Sequence, residues 1–476
     1  MHLSAIKTNS IINIMRKPCS IQKNWFRHAH ILSTLGLLLF GAAPMHAQEP
    51  TYPPSCVVTM PFNNAYIKEK TDILIKVYAT DFGKTKNNGE VSEVVFYVGD
   101  KAIGKTKTND NHIYSFVWKK VKSGTYRISA KATNDKGVSF QSVGVLVHVG
   151  KKDVKSMGLS AGKGKYMANI HQRVPFINYD QYWNGVTAEN ACKWESVEAV
   201  RDQFNWKGAD SAYQYATERN MIFRYHAAIW ASQYPKWFTS LTTEEAREEV
   251  KELLAGIAQR YPYTDQIDLL NEQLGNHQRD NQKFRELLGG PGTKATDYAW
   301  QIWLFTEARK VFPNTKLVLN DYGMEGDRKA IANQLELFKV LRDRGLVDGF
   351  GTQAHSFNVD RPKADTIKAH LDFMASSGLP IYATELDMNG GVSGRRTSDS
   401  AQLVSYKKVI PVFFEHPAVW GITLWGYVQG TTWSNGTGIV SQEGVENPSM
   451  IWLKSYMKGL PDVGYPMGNY SDKKKK

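Results

Sequence analysis

In the stretch Tyr382-Ala-Thr-Glu-Leu-Asp-Met388, a short apolar run ends in acidic residues. The second half of the chain contains several runs that end in polar residues in this way. A second stretch, Asp268-Leu-Leu-Asn-Glu272, has the same form upstream. In each, an apolar run of β-strand length gives way to a glutamate where a polar loop begins. Strands that end in this way are typical of folds whose functional residues lie at the carboxyl ends of parallel strands.

Apolar runs of this kind recur eight times, at residues 166–170, 184–187, 222–225, 267–270, 316–319, 349–353, 380–384 and 421–424. Helical patterns separate them, most clearly at 242–260, 296–311 and 328–344, the first opened by the capping-box pattern Thr242-Thr-Glu-Glu245. Eight strand–helix units predict an α/β fold, a (β/α)8 TIM barrel over residues 158–466. The alternative, a doubly wound open sheet, needs a Gly-rich phosphate loop after its first strand, and the sequence has none there.

Residues 57–149 have a different sequence pattern, with short strand-like runs at 73–78, 94–98, 114–118, 126–130 and 143–149. Turn signals such as Asn87-Asn-Gly89, Ser123-Gly124 and Asn134-Asp-Lys-Gly137 separate the runs. Strands at this spacing without helical periods predict a small all-β immunoglobulin-like sandwich that precedes the barrel. Residues 150–157 are the predicted linker.

The net charge of +13 is concentrated at the two ends of the chain. Residues 1–47 hold five basic residues and no acidic one, and residues 473–476 are all lysine, so +4 remains for the body. The basic leader, an apolar stretch at 31–40 and small residues after it predict a signal peptide over 1–47. Residues 467–476 form a basic tail. Nucleic acid and membrane partners are therefore not expected, and the mature protein is predicted to be a secreted or periplasmic bacterial monomer.

Cysteine usage indicates neither a disulfide framework nor a metal centre. Cys19 lies in the predicted leader, while Cys56 and Cys192 fall in different predicted domains and lack metal-ligand spacing. No metal or cofactor is expected.

Polar and aromatic residues follow the predicted strands and form a set suited to carbohydrate. Amides, lysine and histidine hydrogen-bond hydroxyl groups, and flat aromatic faces stack on sugar rings. Two carboxylates, one protonated and one ionised, are the groups that cleave a glycosidic bond. The set comprises Glu189, Asn190, Lys193, His226, Trp230, Gln233, Asn271, Glu272, Tyr322, Gln353, His355, Glu385, Asp387, Trp425 and Trp433.

In these motifs the chain resembles glycoside hydrolase family 10, the retaining endo-β-1,4-xylanases. Glu-Asn-x-x-Lys-Trp, His-x-x-x-Trp followed by Ser-Gln, Asn-Glu, Asn-Asp-Tyr, Gln-x-His and Thr-Glu-Leu-Asp all occur here in order. The resemblance implies that Glu272 is the acid/base, Glu385 the nucleophile, and His355 its neighbour, while Asn271 binds the sugar 2-hydroxyl. It also implies a site for the preceding sugar, lined by Asn190, Lys193, His226, Gln233, Trp425 and Trp433. The sandwich resembles modules found beside bacterial glycosidases, which either bind glycan or act as spacers.

Two positions depart from the family pattern. Ala231 stands where the family commonly has histidine, and Ser434 where it commonly has arginine. Neither change removes a catalytic group, so the substrate is affected more than the reaction. The leading hypothesis is an exported xylanase that uses water, and a decorated or mixed-linkage xylan or another β-glycan is the alternative substrate. A non-catalytic glycan-binding protein on the same scaffold is the alternative of another class. Asp387 is expected to support Glu385, and Trp194 is either a site or a core residue.

Overall fold

The computed structural model describes residues 53–81, 90–151, 157–171, 177–274, 277–391 and 398–463, all within one compact unit. Ten strands precede residue 151: β1 Ser55–Met60, β2 Ala65–Lys68, β3 Ile73–Thr80, β4 Val91–Val98, β5 Lys101–Thr106, β6 Asn109–Asp110, β7 Ile113–Trp118, β8 Gly124–Asn134, β9 Ser139–Gln141 and β10 Val145–Gly150. They form two sheets, in the orders β1-β3-β7-β6 and β2-β10-β8-β4-β5, with β9 paired to β8. Inward-facing side chains of both sheets share one apolar cluster, so this part is the predicted sandwich.

The sandwich contains more strands than the sequence indicated. All five predicted runs are strands, but β1, β2, β5, β6 and β9 were not predicted because they are short or carry many polar residues. The pairing is antiparallel except between β2 and β10, which run parallel. The predicted turn at 87–89 lies outside the described residues.

A closed barrel of eight parallel strands follows. Its strands are β11 Tyr166–His171, β12 Gly185–Ala188, β13 Ile222–Trp230, β14 Gln266–Asn271, β15 Lys316–Asp321, β16 Gly349–Thr352, β17 Ile381–Leu386 and β18 Val419–Leu424. Each strand pairs with the next in sequence, and β18 closes on β11. This arrangement confirms the TIM barrel and excludes the open sheet.

Helices lie between the strands of the barrel, as the repeated strand–helix pattern predicted. They are α1 Tyr179–Tyr182, α2 Trp194–Val197, α3 Lys207–Glu218, α4 Thr243–Arg260, α5 Asn281–Gly289, α6 Ala299–Val311, α7 Arg328–Arg342, α8 Ser356–Val359, α9 Ala364–Ala375, α10 Asp399–Glu415 and α11 Pro448–Gly459. Thr242 caps α4 through the predicted capping box with Glu245. Helix α6 begins three residues later than predicted, because residues 295–297 form a separate 3-10 turn. Within the described segments, no helix is long and apolar enough to cross a membrane.

Six of the barrel strands end one to five residues later than predicted, which places functional residues within strands rather than after them. β13 runs on to Trp230, so His226 lies within the strand, and β17 runs on to Leu386, so Glu385 does too. Irregular register in both places accommodates the polar residues, between His226 and Ile229 in β13 and between Ala383 and Leu386 in β17.

The main core lies between the barrel strands and the surrounding helices. Trp194 belongs to it, since its ring packs against Phe238 at 4.7 Å and its indole nitrogen donates a hydrogen bond to Glu198. Of the two interpretations of Trp194, a site residue or a core residue, the structure favours the core residue. Cys56 and Cys192 are both buried and unpaired, in agreement with the expectation that they do not form a disulfide.

Candidate active site

A cleft of about 400 Å³ opens at the carboxyl ends of the barrel strands. It brings together fourteen of the fifteen residues predicted from the sequence, and the fifteenth, Asp387, lies behind it in contact with His355. One further residue, Phe357, lines the cleft. Among the residues that the structure describes, those lining the cleft are Glu189, Asn190, Lys193, His226, Trp230, Gln233, Asn271, Glu272, Tyr322, Gln353, His355, Phe357, Glu385, Trp425 and Trp433.

Glu385 is a buried carboxyl group surrounded by hydrogen-bond donors and cations. Its Oε1 accepts a hydrogen bond from Asn320 Nδ2 at 2.8 Å, and its Oε2 lies 3.4 Å from His355 Nε2. Burial alone raises the pKa of a carboxyl group, but here His226, His355 and Arg224 outweigh it and lower the pKa of Glu385 to about 2. Glu385 is therefore ionised at neutral pH, the state that a nucleophile needs.

Glu272 has the opposite electrostatic surroundings. It lies directly after β14 with a left-handed φ of 54°, a backbone conformation that is uncommon for residues other than glycine. Burial raises its pKa, and the negative charge of Glu385 adds to this, against hydrogen bonds donated by Gln353 at 2.9 Å and Trp230 at 3.1 Å. Gln278 donates a further hydrogen bond to its Oε2. A raised pKa favours the protonated form that a general acid needs.

His355 is held between two carboxylates. Its Nδ1 lies 3.0 Å from Asp387 Oδ2, and Asp387 also accepts hydrogen bonds from the Ser356 N–H at 2.7 Å and from Trp433 Nε1 at 2.8 Å. Burial acts to lower the pKa of His355, but the charges of Asp387 and Glu385 prevail and raise it to about 10. His355 is therefore a cation beside Glu385 at neutral pH.

The opposite wall is polar and faces the same space. Lys193 Nζ donates hydrogen bonds to Asn190 Oδ1 at 2.8 Å and to Gln233 Oε1 at 2.7 Å, and it lies 4.7 Å from the ring centre of Trp230. Burial lowers the pKa of Lys193. Such a wall offers both donors and acceptors to sugar hydroxyl groups.

Two aromatic side chains stand exposed at the rim of the cleft, on either side of His355. The Trp433 ring centre lies 4.6 Å from that of His355, and the Phe357 ring centre lies 5.5 Å from it. Phe357 also contacts Tyr322 edge-on, and Tyr322 stacks on His277 at 3.9 Å. Exposed rings of this kind provide flat apolar faces for a sugar.

A buried ion pair lies close to Glu385. Arg224 on β13 forms a salt bridge with Asp268 on β14, and Asp268 also lies 2.8 Å from His226 Nδ1. Neither Arg224 nor Asp268 was predicted as a site residue. The signal was present, because opposite charges in two adjacent and otherwise apolar strands must face each other inside a barrel.

Three carboxylates outside the cleft have an arrangement that could hold a cation. Oxygens of Glu198, Asp202 and Glu249 lie within 4.8 Å of one another. Arg201 pairs with Glu249 at 2.5 Å, which already offsets part of this charge. None of the three lines the cleft.

The family model for glycosyl hydrolase family 10 matches residues 145–458, more than half of the chain. The chain belongs to glycosyl hydrolase family 10. A model for a bacterial Ig domain matches residues 54–130, so the predicted resemblance and fold class are both confirmed.

Named relatives of this family 10 chain include two bacterial proteins. Endo-1,4-beta-xylanase B of Cellvibrio japonicus (strain Ueda107) is 34% identical over 278 residues, which cover 58% of this chain and 43% of that protein. Endo-1,4-beta-xylanase A of Thermoanaerobacterium saccharolyticum is 28% identical over 306 residues, which cover 60% of this chain and 25% of that protein. The matched region thus spans less than half the length of either relative.

Solved structures agree with the fold. The structure of GH10 from Paenibacillus barcinonensis superposes with a TM-score of 0.56 at 22% identity, covering 65% of this chain and 99% of that one. Xylanase 10B from Thermotoga petrophila RKU-1, in complex with xylobiose, gives a TM-score of 0.53 at 20% identity, covering 64% and 98%. At these identities, the likeness supports the family 10 barrel fold alone.

Proposed function

We propose that this protein is an exported retaining endo-β-1,4-xylanase that cleaves xylan through a covalent glycosyl–enzyme. The observation that carries the proposal is that two carboxyl groups in one cleft have pKa values shifted in opposite directions. Glu385 has its pKa lowered to about 2, whereas Glu272 has its pKa raised. Family membership and the names of the relatives support the same chemistry.

In the first step, a carboxylate oxygen of Glu385 attacks the anomeric carbon while Glu272 donates its proton to the glycosidic oxygen. The bond between the anomeric carbon and that oxygen breaks, and the shortened chain leaves as an alcohol. The sugar is then held as an ester of Glu385. Retaining enzymes place these carboxyl groups about 5–5.5 Å apart, so that the nucleophile reaches the carbon directly.

In the second step, Glu272 removes a proton from water, and the water oxygen displaces Glu385 from the anomeric carbon. Because the ester carries no charge, the contribution of Glu385 to the raised pKa of Glu272 is lost, whereas the contribution of burial remains. The pKa of Glu272 therefore falls, which favours the ionised form that accepts a proton from water. Two inversions at the same carbon retain its configuration.

Sugar binding is assigned to the cleft walls. Asn271 binds the 2-hydroxyl group beside the acid/base, and Lys193 with its amide partners binds hydroxyl groups of the preceding sugar. Trp425 contacts His226 edge-on at 5.0 Å and closes the floor of this part of the cleft. The remaining assigned residues are Glu189, Asn190, Gln233, Tyr322, Gln353 and Trp433.

A decorated or mixed-linkage xylan is the second candidate substrate. Ala231 and Ser434 stand where the family commonly has histidine and arginine, and their smaller side chains leave more room beside Trp230 and Trp433 for side groups of the polymer. Signal-peptide removal before residue 48 would place the enzyme outside the cytoplasm, where polymeric xylan is available.

Xylan hydrolysis by the mature protein, Glu385→Ala and Glu272→Ala tests the proposal, with the exposed Glu252→Ala as the matched control. We expect short xylo-oligosaccharides from the native protein and the control, and none from Glu385→Ala. Proton NMR of the first product should show the β-anomer. Binding without hydrolysis by the native protein would favour the glycan-binding alternative, and activity only on decorated or mixed-linkage glycans would favour the second substrate.

A further inference from the structure

Two charged side chains at the N-terminal end of the barrel are buried beneath the immunoglobulin-like domain. Lys316 begins β15 and is 2% exposed, and its Nζ donates a hydrogen bond to the carbonyl oxygen of Gly144. Asp265, also 2% exposed, accepts hydrogen bonds from the Asn64 side-chain amide and from the Phe223 N–H at 2.9 Å. Buried charges are costly without hydrogen-bond partners, and each of these takes one partner from the sandwich.

Apolar side chains continue the contact across the same boundary. The core cluster of the sandwich includes barrel residues as well as its own, and the aromatic rings of Tyr166 and Tyr382 stack at 6.4 Å inside it. The N-terminal end of the barrel core and the core of the sandwich are therefore continuous. The barrel members of the cluster are Tyr166, Ala168, Ile222, Val318, Tyr382 and Trp420.

Aromatic side chains at the edge of the boundary make close contacts between the sandwich and the barrel. The Arg342 guanidinium lies 4.8 Å from the ring centre of Phe140 on β9. Gly378 approaches the same ring so closely that a Cβ there would lie 2.3 Å from it. Elsewhere on the boundary, Tyr78 of β3 packs edge-on against His416 at 6.1 Å.

We propose that the immunoglobulin-like domain permanently covers the N-terminal end of the barrel, and that the two domains unfold as one cooperative unit. Its barrel-facing surface is an interaction surface whose partner is the N-terminal end of the barrel in the same chain. This surface is consequently closed to glycan. The proposal differs from a spacer or a glycan-binding module, because domains joined only by a linker move and unfold separately. It does not depend on the xylanase assignment.

Calorimetry and hydrogen exchange of the full mature chain test the proposal. The native protein should unfold in a single transition, with equal calorimetric and van't Hoff enthalpies. Phe140→Lys places a cation against Arg342 and should lower the Tm of that transition by a few degrees. Exchange of amides in β14 and β15 should become at least about tenfold faster, because these strands begin at the covered end of the barrel.

Val117→Lys is the matched control, since it introduces the same side chain at an exposed position of the same domain. Its barrel amides should exchange at the native rate. Two separate transitions in the native protein would overturn the proposal even if Phe140→Lys failed to fold. Unchanged exchange in β14 and β15 of a folded Phe140→Lys would overturn it as well.

Discussion

Replacing His355 with glutamine removes the positive charge beside Glu385 and keeps a side chain that can donate a hydrogen bond. His355 Nε2 lies 3.4 Å from Glu385 Oε2, and its Nδ1 lies 3.0 Å from Asp387 Oδ2. The charges of Asp387 and Glu385 raise the pKa of His355 to about 10 against the opposing effect of burial, so His355 is a cation at every pH where Glu385 titrates. Losing this positive charge raises the pKa of Glu385.

The size of the effect follows from the pKa of Glu385. The difference between its ordinary value of 4.5 and about 2 corresponds to roughly 3 kcal/mol that favours the ionised form. His226, His355 and Arg224 share this stabilisation. An equal share for His355 is about 1 kcal/mol, so loss of its charge raises the pKa of Glu385 by about one pH unit.

The assay is the pH dependence of kcat/KM on an activated aryl xylobioside, whose leaving group needs little help from Glu272. The acidic limb reports the proposed nucleophile of the free enzyme, and His355→Gln should move it upward by about one pH unit. Acid stability should change with the same sign. A lowered pKa in the folded state stabilises the protein above the unfolded pKa, and this stabilisation is lost as pH falls toward about 2. The variant should therefore unfold at a higher pH than the native protein.

His112→Gln, at an exposed position of the immunoglobulin-like domain, is the control and should leave both curves unchanged. If His355→Gln lowers kcat but leaves the acidic limb in place, His355 only positions its neighbours. The electrostatic reasoning would then be refuted.

Two further predictions concern the neighbours of the two glutamates. Gln278→Leu removes a hydrogen bond to the ionised form of Glu272, so the alkaline limb of kcat/KM should move to higher pH, whereas the exposed Gln282→Leu should leave it in place. Arg224→Met leaves the charge of Asp268 buried, so urea denaturation should show a free energy of unfolding lower by about 3–5 kcal/mol. A loss below about 1 kcal/mol would mean that water or His226 compensates this charge.

The sequence could locate most of the cleft because a parallel barrel brings the carboxyl ends of all its strands together. Once eight strand–helix units were recognised, the polar residues after each strand had to converge, whatever the exact strand bounds. The error in the ends of β13 and β17 therefore did not matter for His226 and Glu385. Phe357 and Gln278 were missed because each follows its strand-end motif by two or more residues, where the path of the loop decides the contact.

The two carboxyl groups proposed as catalytic are both buried, so burial alone would raise both pKa values. What separates them is the charge of their neighbours. Glu385 has His226, the protonated His355 and the Arg224 guanidinium nearby, whereas Glu272 has neutral donors and the negative charges of Glu385 and Asp321. These neighbours hold the pKa of Glu385 down, but the contribution of Glu385 to the raised pKa of Glu272 disappears when the proposed ester forms. The proposed reaction therefore changes the proton affinity of Glu272 without moving a side chain, and the same carboxyl group can serve as acid and then as base.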